Sequence, residues 1–256
     1  MEKRLWTREE EIIVFNLYCK IPFKNSSKFH PEVIRIASII GRTPSAVNMK
    51  IGNFGRLDPE LKSKNITGLQ NGSKLDEEIW NEFSNNWGKL AYESERLIAK
   101  YSHNEKVIEK EDDLIIPKGK EKLANIKQRI NQNFFRKAVL SSYNDSCCIT
   151  GISNTEMLIA SHIKPWKDSD DNEKTNPTNG LCLNALHDKA FDRGFITVDK
   201  NYIIHTSNDI SDIVNGEAVD RYFKLYDNKK IILPDKFLPN KEFLCYHNDV
   251  IFESWK

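Results

Sequence analysis

The chain lacks the marks of a membrane or secreted protein. No apolar run in its 256 residues is long enough to span a bilayer. No basic start followed by a short apolar stretch reads as a secretory signal. The expected location is therefore cytoplasmic, with no membrane partner. A disulfide framework is also missing. The five cysteines (Cys19, Cys147, Cys148, Cys182 and Cys245) are odd in number, and two are adjacent. No C-x-x-C occurs, which argues against a zinc ribbon, so these residues read as reduced, partly buried thiols. Excess charge is absent too: 38 basic against 37 acidic residues leave a net charge of +1. A protein that merely coats nucleic acid would be more basic, although a local patch or a bound cation could still serve such a partner. There is no internal repeat and no low-complexity tract. What is present is a 39% hydrophobic content, enough for one large core or two small ones.

Residues 1–101 read as helical. Thr7 followed three residues later by Glu10 is a capping-box pattern. Ile13, Val14, Leu17, Tyr18 and Ile21 then recur as a helical stripe that Pro22 ends. A second helix fits "PEVIRIASII", with Pro31 near its first position. Gly41 can close it, and Thr43 with Pro44 can open a third. Two short helices joined by a tight Gly-containing turn read as helix-turn-helix-like. In the third helix, Val47, Ile51 and Phe54 would face the core. Ser45, Asn48, Met49, Asn53 and Arg56 would face outward, with Arg42 just before them. Amides can read adenine, arginine can read guanine and methionine can touch a thymine methyl. The same residues also suit a small helical module that packs on a neighbour. "SKLDEEIWNEFSNNWGKLAYESERLIAKY" reads as one long helix or a pair, with Leu75, Ile79, Phe83, Trp87, Leu90 and Leu97 as core.

Residues 102–120 are charged and broken by Pro117 and Gly119, which marks a linker. Residues 121–256 form the second block. It opens with a helix through "IKQRINQNFFRKAVLSSY". "CCITG" reads as a short strand, "MLIASHI" as another, and "GLCLN" leads into a helix, "ALHDKAFD". "FITVDKNYIIHT" reads as a hairpin turning at Asp199 to Asn201, and "NKEFLCYHNDVIFESW" as a closing helix.

The chemistry gathers between Ile159 and Gly194. Phosphodiester hydrolysis needs a base for water and a cation for the charge that develops on the phosphate. An imidazole, of ordinary pKa about 6.5, suits the base at neutral pH. His162 stands at the end of an apolar strand, where its backbone is rigid. Asn179, in "NPTNGL", can hold the intervening loop through its amide. His187, on the following helix, can offer a ring nitrogen to a divalent metal. Lys164 or Arg193 could contact phosphate. Taken singly, each also fits a packed histidine, a turn asparagine or a solvated cation.

As an ordered set, "CCITG", "SHIKPW", "NPTNGLCL" and "HDKAFDRG" resemble the HNH endonucleases of the ββα-metal superfamily. They are most similar to a predicted bacterial restriction branch that carries an N-terminal helical recognition domain. The resemblance extends to the helix "RINQNFFRKAVLSSY", to the tail "LPNKEFLCYHNDVIF" and to the N-terminal helices. It implies an α+β fold: an all-α, helix-turn-helix-like domain over residues 1–101, then an HNH nuclease domain over 121–256. It also implies a divalent-metal-dependent DNA endonuclease, a restriction enzyme using Mg²⁺ or Mn²⁺, with His162 as base, Asn179 orienting the loop and His187 on the metal. Wider relatives often place Asp or His just before the base. Here that position is Ser161, a weak neutral ligand, and Asp192 is a further candidate. Double-stranded DNA is the expected partner. One active site per chain makes a homodimer the simplest way to cut both strands. A nuclease dependent on base modification, and a DNA-binding regulator with an inactive HNH domain, are the alternatives.

Overall fold

The computed structural model describes residues 4–66, 72–102, 120–208, 210 and 216–252, without the side chains of 120–123. It divides into two compact units, Met1–Ser141 and Ser142–Lys256. The fold is α+β, with helices first and short strands mixed with helices after them. The expected linker, 102–120, lies outside the described residues except for Ser102 and the backbone of Lys120. Among the described residues no helix is long and apolar enough to cross a membrane.

The first unit is built around α1 (Arg8–Lys20). Thr7 and Glu10 make the expected capping box. The burial of α1 is wider than its apolar stripe, because it packs against several later helices: every residue from Glu10 to Cys19 is buried. Two of these are carboxylates, so both must find cations. Next come α2 (Pro31–Ile39) and α3 (Pro44–Leu57), which pack on each other and on α1. Gly41, at φ 64°, closes the turn between them in the left-handed region that glycine tolerates. The Thr43 hydroxyl caps α3 by accepting from the Ala46 N–H. Val47, Ile51 and Phe54 are fully buried, as their spacing requires.

After α4 (Pro59–Ser63), the aromatic-rich stretch is a pair of helices, α5 (Lys74–Phe83) and α6 (Trp87–Tyr101). Asn86 breaks the run and caps the second. The last helix here, α7 (Lys120–Ser142), brings Phe134 into stacking contact with Trp87 at 6.2 Å. Ser141 Oγ donates to the Cys19 carbonyl at 2.7 Å. The end of α7 therefore packs with the first unit, although the sequence places that helix at the start of the second block.

In the second unit, "CCITG" is a turn, not the expected strand. The Gly151 N–H returns to the Cys147 carbonyl at 2.9 Å, and Gly151 has φ 74°. Extended pairing is impossible in that geometry, yet the Cys148 N–H still reaches the Cys182 carbonyl at 2.7 Å. β1 (Leu158–His162) pairs antiparallel with β2 (Gly180–Asn184), placing Ser161 opposite Leu181 and His162 opposite Gly180. α8 (Ala185–Asp192) leaves β2 directly, capped by Asn184 Oδ1, and packs across both strands. β3 (Ile196–Val198) and β4 (Ile204–Thr206) form the expected hairpin. Asp199 Oδ1 accepts from the Asn201 and Ile203 N–H groups at its turn. Then follow α9 (Glu217–Tyr222) and α10 (Lys241–Tyr246). The latter widens into a π-helical turn at His247–Phe252. The end of that expected helix, beyond 252, lies outside the described residues.

Candidate active site

Two side chains at the end of β1 meet different surroundings because alternate strand residues face opposite ways. His162 is half-buried. Its Nε2 lies 3.1 Å from the Lys174 carbonyl oxygen, and the Trp166 ring stands edge-on to it at 5.5 Å and 88°. Burial lowers the imidazole pKa below its ordinary value, and the Lys174 carbonyl opposes this in part. The ring is thus neutral at neutral pH. A carbonyl can only accept, so Nε2 carries the proton and the lone pair lies on Nδ1.

Asn179 is fully buried and its amide is spent on the loop between the strands. Oδ1 accepts from the Lys164 N–H at 2.8 Å, and Nδ2 donates to the carbonyls of Lys164 and Glu173, each at 3.2 Å. Its backbone carbonyl accepts from the Ile163 N–H at 2.9 Å. One asparagine therefore ties the start of the loop to its end, immediately before the Lys174 carbonyl that faces His162. A 2.6 Å ion pair between Lys164 and Glu173 adds a second tie.

Ser161 is 3% exposed, and its hydroxyl has no hydrogen-bond partner of ordinary geometry. An unsatisfied buried hydroxyl is unfavourable, so what lies beside it matters. The neighbour is Asp188, half-buried on α8. Burial pushes the Asp188 carboxyl up, the Ser161 hydroxyl dipole pulls it down, and the charge of Asp192 pushes it up again. Asp188 and Asp192 are one helical turn apart and so share a face. Among the described residues no three His, Cys, Asp or Glu side chains gather as a ready-made metal site. The available donors are a hydroxyl and two carboxylates. Such hard oxygens fit Mg²⁺ or Mn²⁺, which keep several waters.

His187 sits elsewhere. It is 2% exposed, and both ring nitrogens are committed. Nδ1 accepts from Asn184 Nδ2 at 2.8 Å, and Nε2 donates to the Tyr222 carbonyl at 2.7 Å. Phe223 and Tyr226 stand edge-on around it. To ligate a metal, as the sequence reading expects, His187 would have to surrender one of these bonds. The adjacent residue, Asp188, is the one turned toward β1. Sequence reasoning missed it because histidine is the stronger ligand type and the exact face of α8 depends on packing. Cys147 lies against this histidine. Burial would raise its thiol pKa, but the contact with His187 and the hydrogen bonds at Thr150 outweigh that and bring it to about 7.

The expected nucleic-acid contacts divide. Ser45 is exposed and Met49 is 59% exposed, so both face outward on α3. Asn48 is half-buried, and its Oδ1 accepts from Ser26 Oγ at 2.7 Å. Arg42 does not face outward. Its side chain is 9% exposed, pairs with Glu10 at 2.7 Å, donates to the carbonyls of Arg4 and Leu5, and covers the Trp6 ring at 4.4 Å. Burial of Glu10 on the central helix drew it in. Asn53 and Arg56 turn toward α5, on Asp76 and Glu77 at 3.3 and 3.2 Å. In the second unit Arg193 is exposed, whereas Lys164 is held by Glu173.

Residues 147–199 match the family model described as HNH endonuclease. That span contains β1, β2, α8 and β3, and with them Ser161, His162, Asn179, His187, Asp188 and Asp192. No curated protein matches the chain.

Proposed function

We propose that this HNH domain makes the chain a divalent-metal-dependent DNA endonuclease, with His162 as its general base. The observation that carries the reading is a neutral, carbonyl-oriented imidazole next in sequence, at the end of the same short strand, to a serine whose hydroxyl lies beside the Asp188 carboxylate. Nδ1 of His162 takes the proton of the attacking water. Asn179 keeps the loop, and with it the Lys174 carbonyl, in the position that fixes the ring. Ser161, Asp188 and Asp192 would hold the cation. When bound, that ion supplies positive charge to the developing phosphorane and the leaving oxygen. His187 braces the start of α8 from inside.

The first unit supplies DNA recognition in this reading, through the outward residues Ser45 and Met49 of α3 and the half-buried Asn48 beside them. The role proposed for the whole protein is a sequence-specific restriction enzyme that cuts double-stranded DNA as a homodimer in the cytoplasm. The test is incubation of purified protein with a mixed DNA substrate and Mg²⁺ or Mn²⁺, followed by sequencing of the ends. Cleavage at a recurrent site, lost on chelation and restored by Mn²⁺, is expected, with a dimer on DNA by light scattering. Asp188→Asn should lower cation affinity by at least about 10-fold, the scale of losing ligand support at a metal site, while His187→Gln should leave it nearly unchanged. Cleavage confined to modified DNA would favour a modification-dependent nuclease. Site-specific binding with no cleavage under any metal would favour a regulator.

A further inference from the structure

The motif "SHIKPW" contains an aromatic residue to which the reaction, as described, gives no task. Trp166 is half-buried, in a short 3₁₀ turn after Pro165. Its backbone is fixed on both sides. Asn179 holds Lys164 just before it, and Ser169 Oγ returns to the Lys164 and Pro165 carbonyls, each at 3.0 Å. The indole therefore has little freedom to drift. It stands perpendicular to the His162 ring at 5.5 Å, and the Lys174 ammonium lies over the indole, also at 5.5 Å. Lys174 is the residue whose carbonyl faces His162 Nε2 at 3.1 Å. Three contacts thus close a triangle: imidazole to indole, indole to lysine, lysine carbonyl to imidazole.

We propose that Trp166 is a positioning residue, which holds the His162 ring on the Lys174 carbonyl so that the Nε2–H tautomer prevails and Nδ1 faces the water. An imidazole can rotate about two side-chain bonds, and the hydrogen bond at Nε2 does not by itself fix the plane of the ring. A perpendicular ring beside it restricts that freedom, since an imidazole tilted out of its plane would meet the indole. The cation over the indole anchors the tryptophan to the segment that provides the carbonyl. The inference rests on His162 being the base, as proposed above.

The experiment compares Trp166→Phe, which keeps an aromatic edge, with Trp166→Leu, which keeps apolar bulk without one. Both preserve volume well enough to fold, and circular dichroism confirms it. Steady-state cleavage of one DNA substrate gives kcat and KM, and ¹⁵N chemical shifts of the imidazole in metal-free protein give the tautomer. Trp166→Leu is expected to lower kcat by about 10- to 100-fold, the scale of a small misplacement of a reacting group. KM should stay within about twofold, the tautomers should mix, and Trp166→Phe should recover most of both. Equal kcat and an unchanged tautomer in the two variants would overturn the proposal. So would a loss expressed in KM alone, which would make Trp166 a DNA contact. His162→Ala is the separating control. If it cleaves at the wild-type rate, the base assignment fails, whatever the tautomer data say of Trp166.

Discussion

Two histidines of the second unit show how much a ring's surroundings decide. His162 is half-buried, and its burial only lowers its pKa. His247 is 1% exposed and stacks flat on Phe191 at 3.6 Å. Its Nε2 donates to the Phe191 carbonyl at 3.0 Å, and Nδ1 lies 2.9 Å from Thr197 Oγ1. Burial holds its pKa at about 4, well below the ordinary 6.5. Between those values the unfolded chain binds a proton that the folded chain refuses. His247 therefore contributes stability above pH 6.5 that is lost as pH falls toward 4. The shift corresponds to about 3 kcal/mol. Denaturant unfolding of wild type and His247→Gln in parallel should show the stability gap narrowing by that order from pH 6.5 to 4, and constant above pH 7. A gap independent of pH would mean that the ring is charged in the fold, or that its environment is wetter than its contacts indicate.

At the scale of elements, the first unit depends on a charged joint. Lys50 is 3% exposed and joins α3 to α1 and α5, through Glu11 at 2.7 Å and Asp76 at 2.6 Å. Burial pushes Glu11 up to about 7 despite the lysine, and its second carboxylate oxygen has no hydrogen-bond partner. Removing the cation would strand two buried carboxylates. Lys50→Ala should destabilise the protein by about 3–5 kcal/mol, whereas replacing all three groups by apolar residues of similar volume should cost far less. Thermal and denaturant unfolding of the single and triple variants would check this. The joint was not visible in the sequence. The pattern of α1 showed one apolar face, and only its enclosure by α3, α5 and α6 buries Glu10 and Glu11 as well. The same enclosure draws Arg42, Asn53 and Arg56 away from the surface on which the sequence placed them. What the sequence did carry is local. The Thr7–Glu10 box, the Gly41 turn, the Thr43 cap and the β3–β4 hairpin depend on neighbours a few residues apart. "CCITG" failed as a strand because the Gly151 turn overrides its β-branched content. Asp188 was missed because a one-residue step on a helix is a rotation of about 100°, which spacing alone does not anchor.

For the whole molecule, the near-zero net charge limits what non-specific attraction can do for a DNA enzyme. Binding must come from local surfaces, and chemistry from one small site per chain. In this account the second unit is the cutting device, and the first unit reads DNA through a short row of outward residues on α3. The claim that joins them is that binding and cutting are separable, because His162 touches the reaction and not the recognition surface. The most direct test is His162→Ala, with DNA affinity and cleavage measured on the same duplex in Mg²⁺. Affinity should stay within about twofold of wild type, and cleavage should fall by at least about 10²-fold, the lower range for loss of a general base. Cleavage at the wild-type rate, or loss of binding together with loss of the fold, would contradict that claim.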